Sequence, residues 1–306
     1  MTAKRSGTAV FLVNPASDNG ATGRRWPELA RRAGALGLTG DALFSEQPLH
    51  LRELAREAAA GGARLVVAVG GDGTVNEVVN GLAGADVELA IIPRGTGVDL
   101  VRTLAIPKRL EAAVGVALAG QTRAIDLGRA RFRAWSGADE EQLFANVASV
   151  GMSGAIAQRT NETTKAFGGK ASYLIATLAV FARWQPARMH VTVDGVERSG
   201  RMHDVIVANG HSFGGGMRIC PDASPDDGLF DTLLIGEITK VDLVRTMPKI
   251  YRGTHLPHPK AELLRGRVVE VSADEPIPVE LDGEQPGTTP ARFEVVPRAL
   301  RLRVPP

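Results

Sequence analysis

Cysteine is nearly absent from this sequence. Cys220 stands alone in 306 residues, so no disulfide can close within the chain and no cysteine-based metal cluster can form. Histidine is sparse as well. None of the six falls in the His-x-x-x-His spacing that sets two rings on one helix face, which argues against zinc chemistry. Net charge is small, +2, and gives no support for nucleic acid as a partner. No apolar run reaches the ~20 residues that cross a bilayer. The best candidate, Ala171–Trp184, is too short, and the run Ala9–Val13 is too short for a secretion signal and ends in Asn14-Pro15. Two ligand motifs are also missing. Without Gly-x-x-x-x-Gly-Lys-Ser/Thr this is not a P-loop enzyme, and without Gly-x-Gly-x-x-Gly after the first strand a dinucleotide-binding oxidoreductase is disfavoured. A cytoplasmic protein is expected, with at most peripheral contact at the inner face of a membrane.

What remains is a globular composition, 44% apolar and 23% charged, long enough for one large core or two ordinary ones. Its most informative stretch is Leu65–Glu77. Five apolar residues, Leu65–Val69, run into Gly70-Gly71-Asp72-Gly73-Thr74, and apolar positions Val78, Val79 and Leu82 follow at helical spacing. This reads as buried strand, tight glycine loop and helix. A helix N-terminus presents free N–H groups and a positive dipole end, which favours phosphate. Asp72 puts a carboxylate in the same place, which makes sense if a divalent cation accompanies the phosphate. Thr74-x-x-Glu77 also reads as a capping box, which needs no ligand.

The first half alternates strands with helices. Strands are expected at Thr8–Val13, Ala42–Ser45, Leu65–Val69 and Leu89–Ile92, and helices at Arg24–Leu36, Leu49–Ala60, from Thr74, and at Arg109–Ala119. That order predicts a parallel sheet with helices on both faces, with any ligand at the carboxyl ends of the strands. Three polar loops gather there: Asn14–Gly20, Gly70–Thr74 and Arg94–Asp99. In the third, Gly95 and Gly97 allow close approach, and Thr96-x-x-Asp99 again has the form of a cap. Thr239-x-x-Asp242 has that form with no glycine loop before it.

The second half changes character near Asp126–Arg133. Short strands dominate, among them Ile125–Ala130, Leu143–Val147, His190–Val193, Val205–Ala208, Phe293–Val296 and Leu300–Val304, with hairpin chemistry at Asp194-Gly195 and Asp282-Gly283. A β-rich sandwich is expected over residues 130–306, following an α/β domain over 1–129, with the last strand near 300–306 returning to the first domain. Two acidic stretches stand out. Asp222, Asp226, Asp227 and Asp231 crowd one loop and will not all be buried without a cation; the plainer reading is a solvated acidic loop. Glu280-Leu281-Asp282-Gly283-Glu284 on its own is a hairpin turn.

Together these loops resemble the diacylglycerol kinase and sphingosine kinase catalytic-domain superfamily. Its loops run Asn-Pro-x-Ser-Gly, Gly-Gly-Asp-Gly-Thr and Pro-x-Gly-Thr-x-Asn-Asp. Here Asp18 stands where Gly is usual and Val98 where Asn is usual. NAD kinases and phosphofructokinases carry a related Gly-Gly-Asp loop and a similar α/β domain. The resemblance implies an ATP cleft between the two domains. Asn14, Ser17, Gly71, Asp72, Gly73, Thr74, Gly95, Thr96 and Asp99 would line the nucleotide site, with Glu77 and Ser45 as weaker candidates. It implies a catalytic Mg²⁺ held through water by Asp72, Asp99 and Glu284, and Asp282 as the base that takes the proton of the substrate hydroxyl. It implies a structural Mg²⁺ on Asp227 and main-chain oxygens near Ser224 and Leu229. The acceptor would be a lipid, diacylglycerol first. Leu174, Ile175, Leu178, Val180, Phe181 and Trp184, with Phe213 and Met217, would line its acyl chain, or are ordinary core. A non-catalytic nucleotide or lipid sensor, an NAD kinase-like enzyme and a homodimer stay open.

Overall fold

The structure is a computed structural model and describes residues 9–95, 98–163, 179–181 and 183–306. The chain divides into two compact units, Met1–Ile125 with Arg298–Pro306, and Asp126–Pro297.

In the first unit the order is β1 (Ala9–Val13), α1 (Ala21–Ala35), β2 (Gly40–Phe44), α2 (His50–Ala60), β3 (Leu65–Gly70), α3 (Asp72–Leu82), β4 (Glu88–Pro93), α4 (Asp99–Thr103) and α5 (Leu110–Ala119). β1 pairs with β2 and β3, and β3 with β4, all in parallel. The returning chain adds Arg301 and Leu302 beside Glu88 and Leu89, also parallel. Arg303 anchors that return through Glu88 Oε2 and the carbonyl of Gly120. Every residue of β1 is buried, as expected for a central parallel strand covered on both faces. Phe11, Val13, Val67, Val69, Ala90 and Ile92 share one core with Ala33 of α1 and Val114 and Ala117 of α5. Trp26 of α1 closes its rim, edge-on to Phe11 at 5.4 Å and to Phe44 at 5.9 Å. The alternate residues Val10, Leu12, Val66 and Ala68 are equally buried on the side of α2 and α3.

The second unit is antiparallel. It contains β5 (Gln121–Ala134, which begins in the first unit), β6 (Asp139–Phe144), β7 (Val147–Gly151), α6 (Met152–Thr163), β8 (Ala187–Val193), β9 (Val196–Ala208), β10 (Ser212–Phe213), β11 (Met217–Arg218), β12 (Phe230–Gly236), α7 (Lys240–Arg252), β13 (Ala261–Gly266), β14 (Val268–Ala273), β15 (Pro278–Leu281) and β16 (Glu284–Val304). One path of pairing runs β16-β15-β7-β9-β12-β13, and another runs β9-β8-β14-β16. The strands thus fold over on themselves around Phe144, Phe230 and Phe293. Phe144 stacks on Phe230 at 5.6 Å and meets Phe293 edge-on at 6.1 Å. Gly128 makes room for it, since a Cβ there would fall 2.1 Å from the Phe144 ring. Val205 and Val207 of β9 face this core, while Ile206 and Ala208 face a second one with Leu233 and Ile250 of α7. Two buried faces explain why Val205–Ala208 reads as an unbroken apolar run.

Some boundaries differ from the sequence reading. The expected break between Phe293–Val296 and Leu300–Val304 is only a kink at Arg298 (φ 52°), and β16 runs through it. The expected strand Leu143–Val147 is two strands, β6 and β7. The apolar run Ala171–Trp184 lies largely outside the described residues. Among the described residues no helix is long and apolar enough to cross a membrane.

Candidate functional site

The three loops of the first unit follow β1, β3 and β4, side by side, and are laced together by hydrogen bonds. Asn14 donates from its main-chain N–H to the Val69 carbonyl at 3.2 Å and from Nδ2 to Thr74 Oγ1 at 3.1 Å. Its Oδ1 accepts from the N–H of Ala16. The Ser17 hydroxyl donates to the Asn14 carbonyl at 2.9 Å and lies 2.7 Å from the Thr22 hydroxyl. Ser45, at the end of β2, donates its N–H to the Val13 carbonyl.

The helix after the second loop starts three residues earlier than the capping pattern implied. α3 begins at Asp72 with Gly71 as its N-cap, and no side chain caps it. Thr74 therefore sits inside the first turn, buried, with its hydroxyl turned to Asn14. A Cβ on Gly70 would fall 2.2 Å from Thr74 Oγ1, so only glycine fits there. Glu77, displaced one turn along α3, reaches another helix. Its Oε2 accepts from the N–H of Leu51 at 3.1 Å and satisfies a first-turn donor of α2. By contrast, Thr239 and Asp242 do form the reciprocal capping box at the start of α7.

Asp72 closes the second loop onto the third. Its Oδ2 accepts from the N–H of Val98 at 2.5 Å and its Oδ1 from the N–H of Asp99 at 2.8 Å. Arg94 adds a main-chain bond to the Gly70 carbonyl at 2.7 Å, and a Cβ on Gly95 would come within 3.2 Å of Gly71 Cα. Val98 is fully buried with φ 50°, and it caps the short α4 in place of Thr96, which lies outside the described residues. The Asp99 carboxylate forms an ion pair with Arg102. Asp18 also adopts a left-handed backbone, φ 55°, and pairs with Arg94 at 3.1 Å. The sequence reading missed Arg94; its only signal was a cation between Pro93 and Gly95.

In the second unit Asp282 and Gly283 make the tight turn between β15 and β16, with φ 49° and 96°. Asp282 accepts three main-chain N–H bonds, from Ala145 at 2.8 Å, Asn146 at 3.0 Å and Val147 at 3.1 Å. Glu284 is exposed. Glu280, two residues before Asp282, is fully buried; it accepts from the Ser149 hydroxyl at 2.9 Å and from the Gly283 N–H, and burial pushes its carboxyl well above the ordinary range. Burial likewise raises Asp204 to about 7, against bonds from the Ser153 N–H and hydroxyl.

The acidic loop follows the plainer of its two readings, a solvated one. Asp222, Asp226 and Asp227 are exposed, and only Asp231 is buried. Arg265 supplies the cation, pairing with Asp227 and, at 2.9 Å, with Asp231. Leu229 donates its N–H to Asp227 Oδ1, and Ser224 its hydroxyl to Asp226. Asp126, unmarked in the sequence, ties the loop down by accepting from the Gly228 N–H and donating to the Pro225 carbonyl. One guanidinium against four carboxylates leaves the loop net negative, and Asp227 with the main-chain oxygens near Ser224 and Leu229 stays the proposed structural Mg²⁺ set. Among the described residues no three His, Cys, Asp or Glu side chains gather as a metal cage.

The second unit also holds an apolar cavity of about 80 Å³ between the strands and α7, walled by Ile156, Ile206, Phe213, Met217 and Met247. Phe213 and Met217, expected to line an acyl chain in a cleft between the domains, line this cavity within the second unit. Val180, Phe181 and Trp184 pack with Met152, Ile156 and Leu243 beside it, while Leu174, Ile175 and Leu178 lie outside the described residues.

Residues 8–130 match the diacylglycerol kinase catalytic domain, and residues 146–304 match the YegS C-terminal NAD kinase beta sandwich-like domain. A diacylglycerol kinase of Mycobacterium tuberculosis (strain CDC 1551 / Oshkosh) is 32% identical over 306 residues, covering 98% of this chain and 96% of the relative. A diacylglycerol kinase of Bacillus subtilis (strain 168) is 30% identical over 254 residues, 82% of this chain and 81% of the relative. The crystal structure of a diacylglycerol kinase from Bacillus anthracis str. Sterne superposes with TM-score 0.72 at 20% identity, covering 98% of this chain and 97% of that one, and shares the fold. An α/β unit with clustered glycine loops, followed by a β sandwich-like unit, is the two-domain architecture of this group of kinases. The chain belongs to the diacylglycerol kinase catalytic-domain family.

Proposed function

We propose that the protein is a lipid kinase that transfers the γ-phosphoryl group of ATP to a lipid hydroxyl, with diacylglycerol as the first-choice acceptor. Family membership supports the kinase chemistry. The observation that carries the choice of a lipid acceptor is the cavity in the second unit, whose walls are almost wholly apolar. NAD would need a polar second site instead.

Phosphoryl transfer asks the protein for positioning and charge compensation rather than covalent help. The nucleotide phosphates would sit on the loops of the first unit, where glycine backbones approach each other and α3 points its N-terminus outward. Asn14, Ser17, Gly71, Gly73, Thr74, Gly95 and Thr96 are the proposed lining. Mg²⁺ keeps most of its water and takes one or two carboxylates beside the phosphates. Asp72, Asp99 and Glu284 are proposed to hold it, and a bound Mg²⁺ would offset charge building on the transferred group. Asp282, fixed by three main-chain bonds, is the proposed base. Glu77 and Ser45 stay weaker candidates for the same lining: Glu77 Oε2 is engaged with α2, and the Ser45 N–H bonds to the Val13 carbonyl. ATP-site placement in a cleft, with peripheral contact at the inner membrane face, belongs to the same proposal.

The test is acceptor selection at fixed ATP and Mg²⁺. Diacylglycerol, monoacylglycerol and sphingosine in micelles, and NAD in solution, are offered separately. Phosphorylation of a lipid and not of NAD is expected. Phosphorylation of NAD alone contradicts the reading, and ATP binding without any product supports a nucleotide sensor.

A further inference from the structure

α7 has two apolar faces. Its inner face buries Leu243 and Ile250, and Thr246 and Met247 line the cavity. Its outer face exposes Val241 and Val244, 55% and 61% open to solvent, one helical turn apart, with Pro248 exposed in the next turn. At 3.6 residues per turn, Val241, Val244, Arg245, Pro248 and Arg252 fall in one stripe about 100° wide, with Lys240 and Lys249 at its edges. Single exposed apolar residues are ordinary, but this arrangement joins an apolar ridge to four cations on one short helix.

Little offsets that charge. The acid on α7 is Asp242, which accepts from the N–H and hydroxyl of Thr239 in the capping box and lies near Arg245 and His258. Glu237, just before the helix, is taken by Arg201. Among the described residues no ion pair occupies Lys240, Arg245, Lys249 or Arg252.

We infer that the outer face of α7 is a docking surface for an anionic lipid bilayer, on which the helix lies flat with Val241, Val244 and Pro248 below the headgroups. An apolar ridge flanked by Lys and Arg is the pattern of an interfacial helix. Charge selects the partner. A second copy docking through the same face would set these cations against their own kind, whereas an anionic leaflet complements all four. The docking helix is also the roof of the apolar cavity, so a lipid leaving the bilayer here meets the cavity wall on the other side of one helix. That last step rests on the lipid-acceptor reading; the docking does not.

The test is co-sedimentation of the whole protein, without ATP, with vesicles of phosphatidylcholine alone and with roughly one-third phosphatidylglycerol. Binding is expected only to the anionic vesicles, and it should weaken as salt rises from roughly 0.05 to 0.5 M. Val241→Asp with Val244→Asp, and separately Arg245→Glu with Lys249→Glu, should each lower the vesicle partition coefficient about tenfold or more. Both should retain the parent's melting temperature and its turnover of short-chain diacylglycerol in micelles, because none of these side chains lines the cavity and none belongs to the nucleotide loops. Equal binding to both vesicle types, or full binding by both variants, overturns the inference. A dimer of the parent chain that these variants dissociate, with no vesicle preference, also overturns it and makes the face a contact between copies. Vesicle binding that persists in a protein with no micelle turnover would sink the kinase reading and leave the docking surface standing.

Discussion

Arg94 reaches from the third loop to Asp18 in the first, Nη2 to Oδ2 at 3.1 Å, and so links two of the three loops proposed to hold phosphate. Asp18 is one of two departures from the family's loop pattern, and from sequence it placed a negative charge beside the phosphates. The structure pairs that charge with a cation. An ion pair this exposed contributes little stability, about 0–1 kcal/mol, so its effect should appear in nucleotide binding. Asp18→Gly suits the left-handed backbone and frees Arg94 for phosphate. The variant should lower KM for ATP severalfold with a melting temperature near the parent's. Steady-state kinetics check this, and an unchanged KM would take Arg94 out of the nucleotide site.

Asp282 has a counterpart that no one would call catalytic. Asp194 occupies the same place in the turn between β8 and β9, φ 44°, and its carboxylate accepts from the N–H groups of Arg267 and Val268, both at 2.9 Å. Both aspartates pin a neighbouring segment to a hairpin. Replacing either by Asn turns an NH₂ towards main-chain donors, which should cost about 1–3 kcal/mol. The proposed base role adds a second effect to Asp282 alone. Asp282→Asn should lose kcat by about 10²-fold or more while Asp194→Asn loses only melting temperature. Matching losses in both variants would reduce Asp282 to a structural clamp.

Arg265 and the proposed structural Mg²⁺ can be tested separately at the acidic loop. Arg265→Ala leaves the buried Asp231 without its cation, and burial already raises that carboxyl. A destabilisation of roughly 2 kcal/mol is expected, and a chelator should lower the parent's melting temperature as well. A melting temperature that chelation leaves unchanged would remove the structural Mg²⁺ from the account.

The glycine loops were legible because each follows a buried strand and combines glycine with a hydroxyl and a carboxylate. The bonds that unite them were not. Asp72 finds its partners 26 and 27 positions away, at Val98 and Asp99, and nothing local announces that. Glu77 misled because a Thr-x-x-Glu pattern fixes a cap only when the helix starts at the Thr; here it starts at Asp72, and Glu77 serves α2. The departures at Asp18 and Val98 read as changes of side-chain chemistry. Both are also backbone matters, since both residues have positive φ, a conformation Gly and Asn tolerate and Val does not. Val98 is kept there by burial and by Asp72. The acidic loop read as solvated from its composition, and three of its four carboxylates are exposed; the burial of Asp231 against Arg265 was not legible because its partner lies 34 positions away.

Two buried carboxyls set a pH dependence. In the folded protein Asp204 titrates at about 7 and Glu280 well above the ordinary range, both because of burial, while the unfolded chain releases those protons near 4. Between these values the native state binds more protons than the unfolded state, so their contribution to stability falls as pH rises, for Asp204 from about pH 4 to 7. Buried His203 and His255, whose rings are held below their usual value, act in the opposite sense, so the comparison must be between variants. Asp204→Asn keeps an acceptor for the Ser153 N–H and cannot ionise. Its melting temperature relative to the parent should be higher at about pH 8 than at about pH 4. A difference that does not change with pH would show that burial does not raise the Asp204 carboxyl.

The account's central claim is that a lipid receives the phosphoryl group. The most direct measurement is incubation of the purified protein with γ-labelled ATP, Mg²⁺ and a mixed lipid extract in detergent micelles, with Asp72→Ala alongside and the melting temperature of both recorded. The account predicts label in an organic-extractable product, lost in Asp72→Ala, with a migration that identifies the lipid. Label confined to the aqueous phase, or none despite bound ATP, would contradict it.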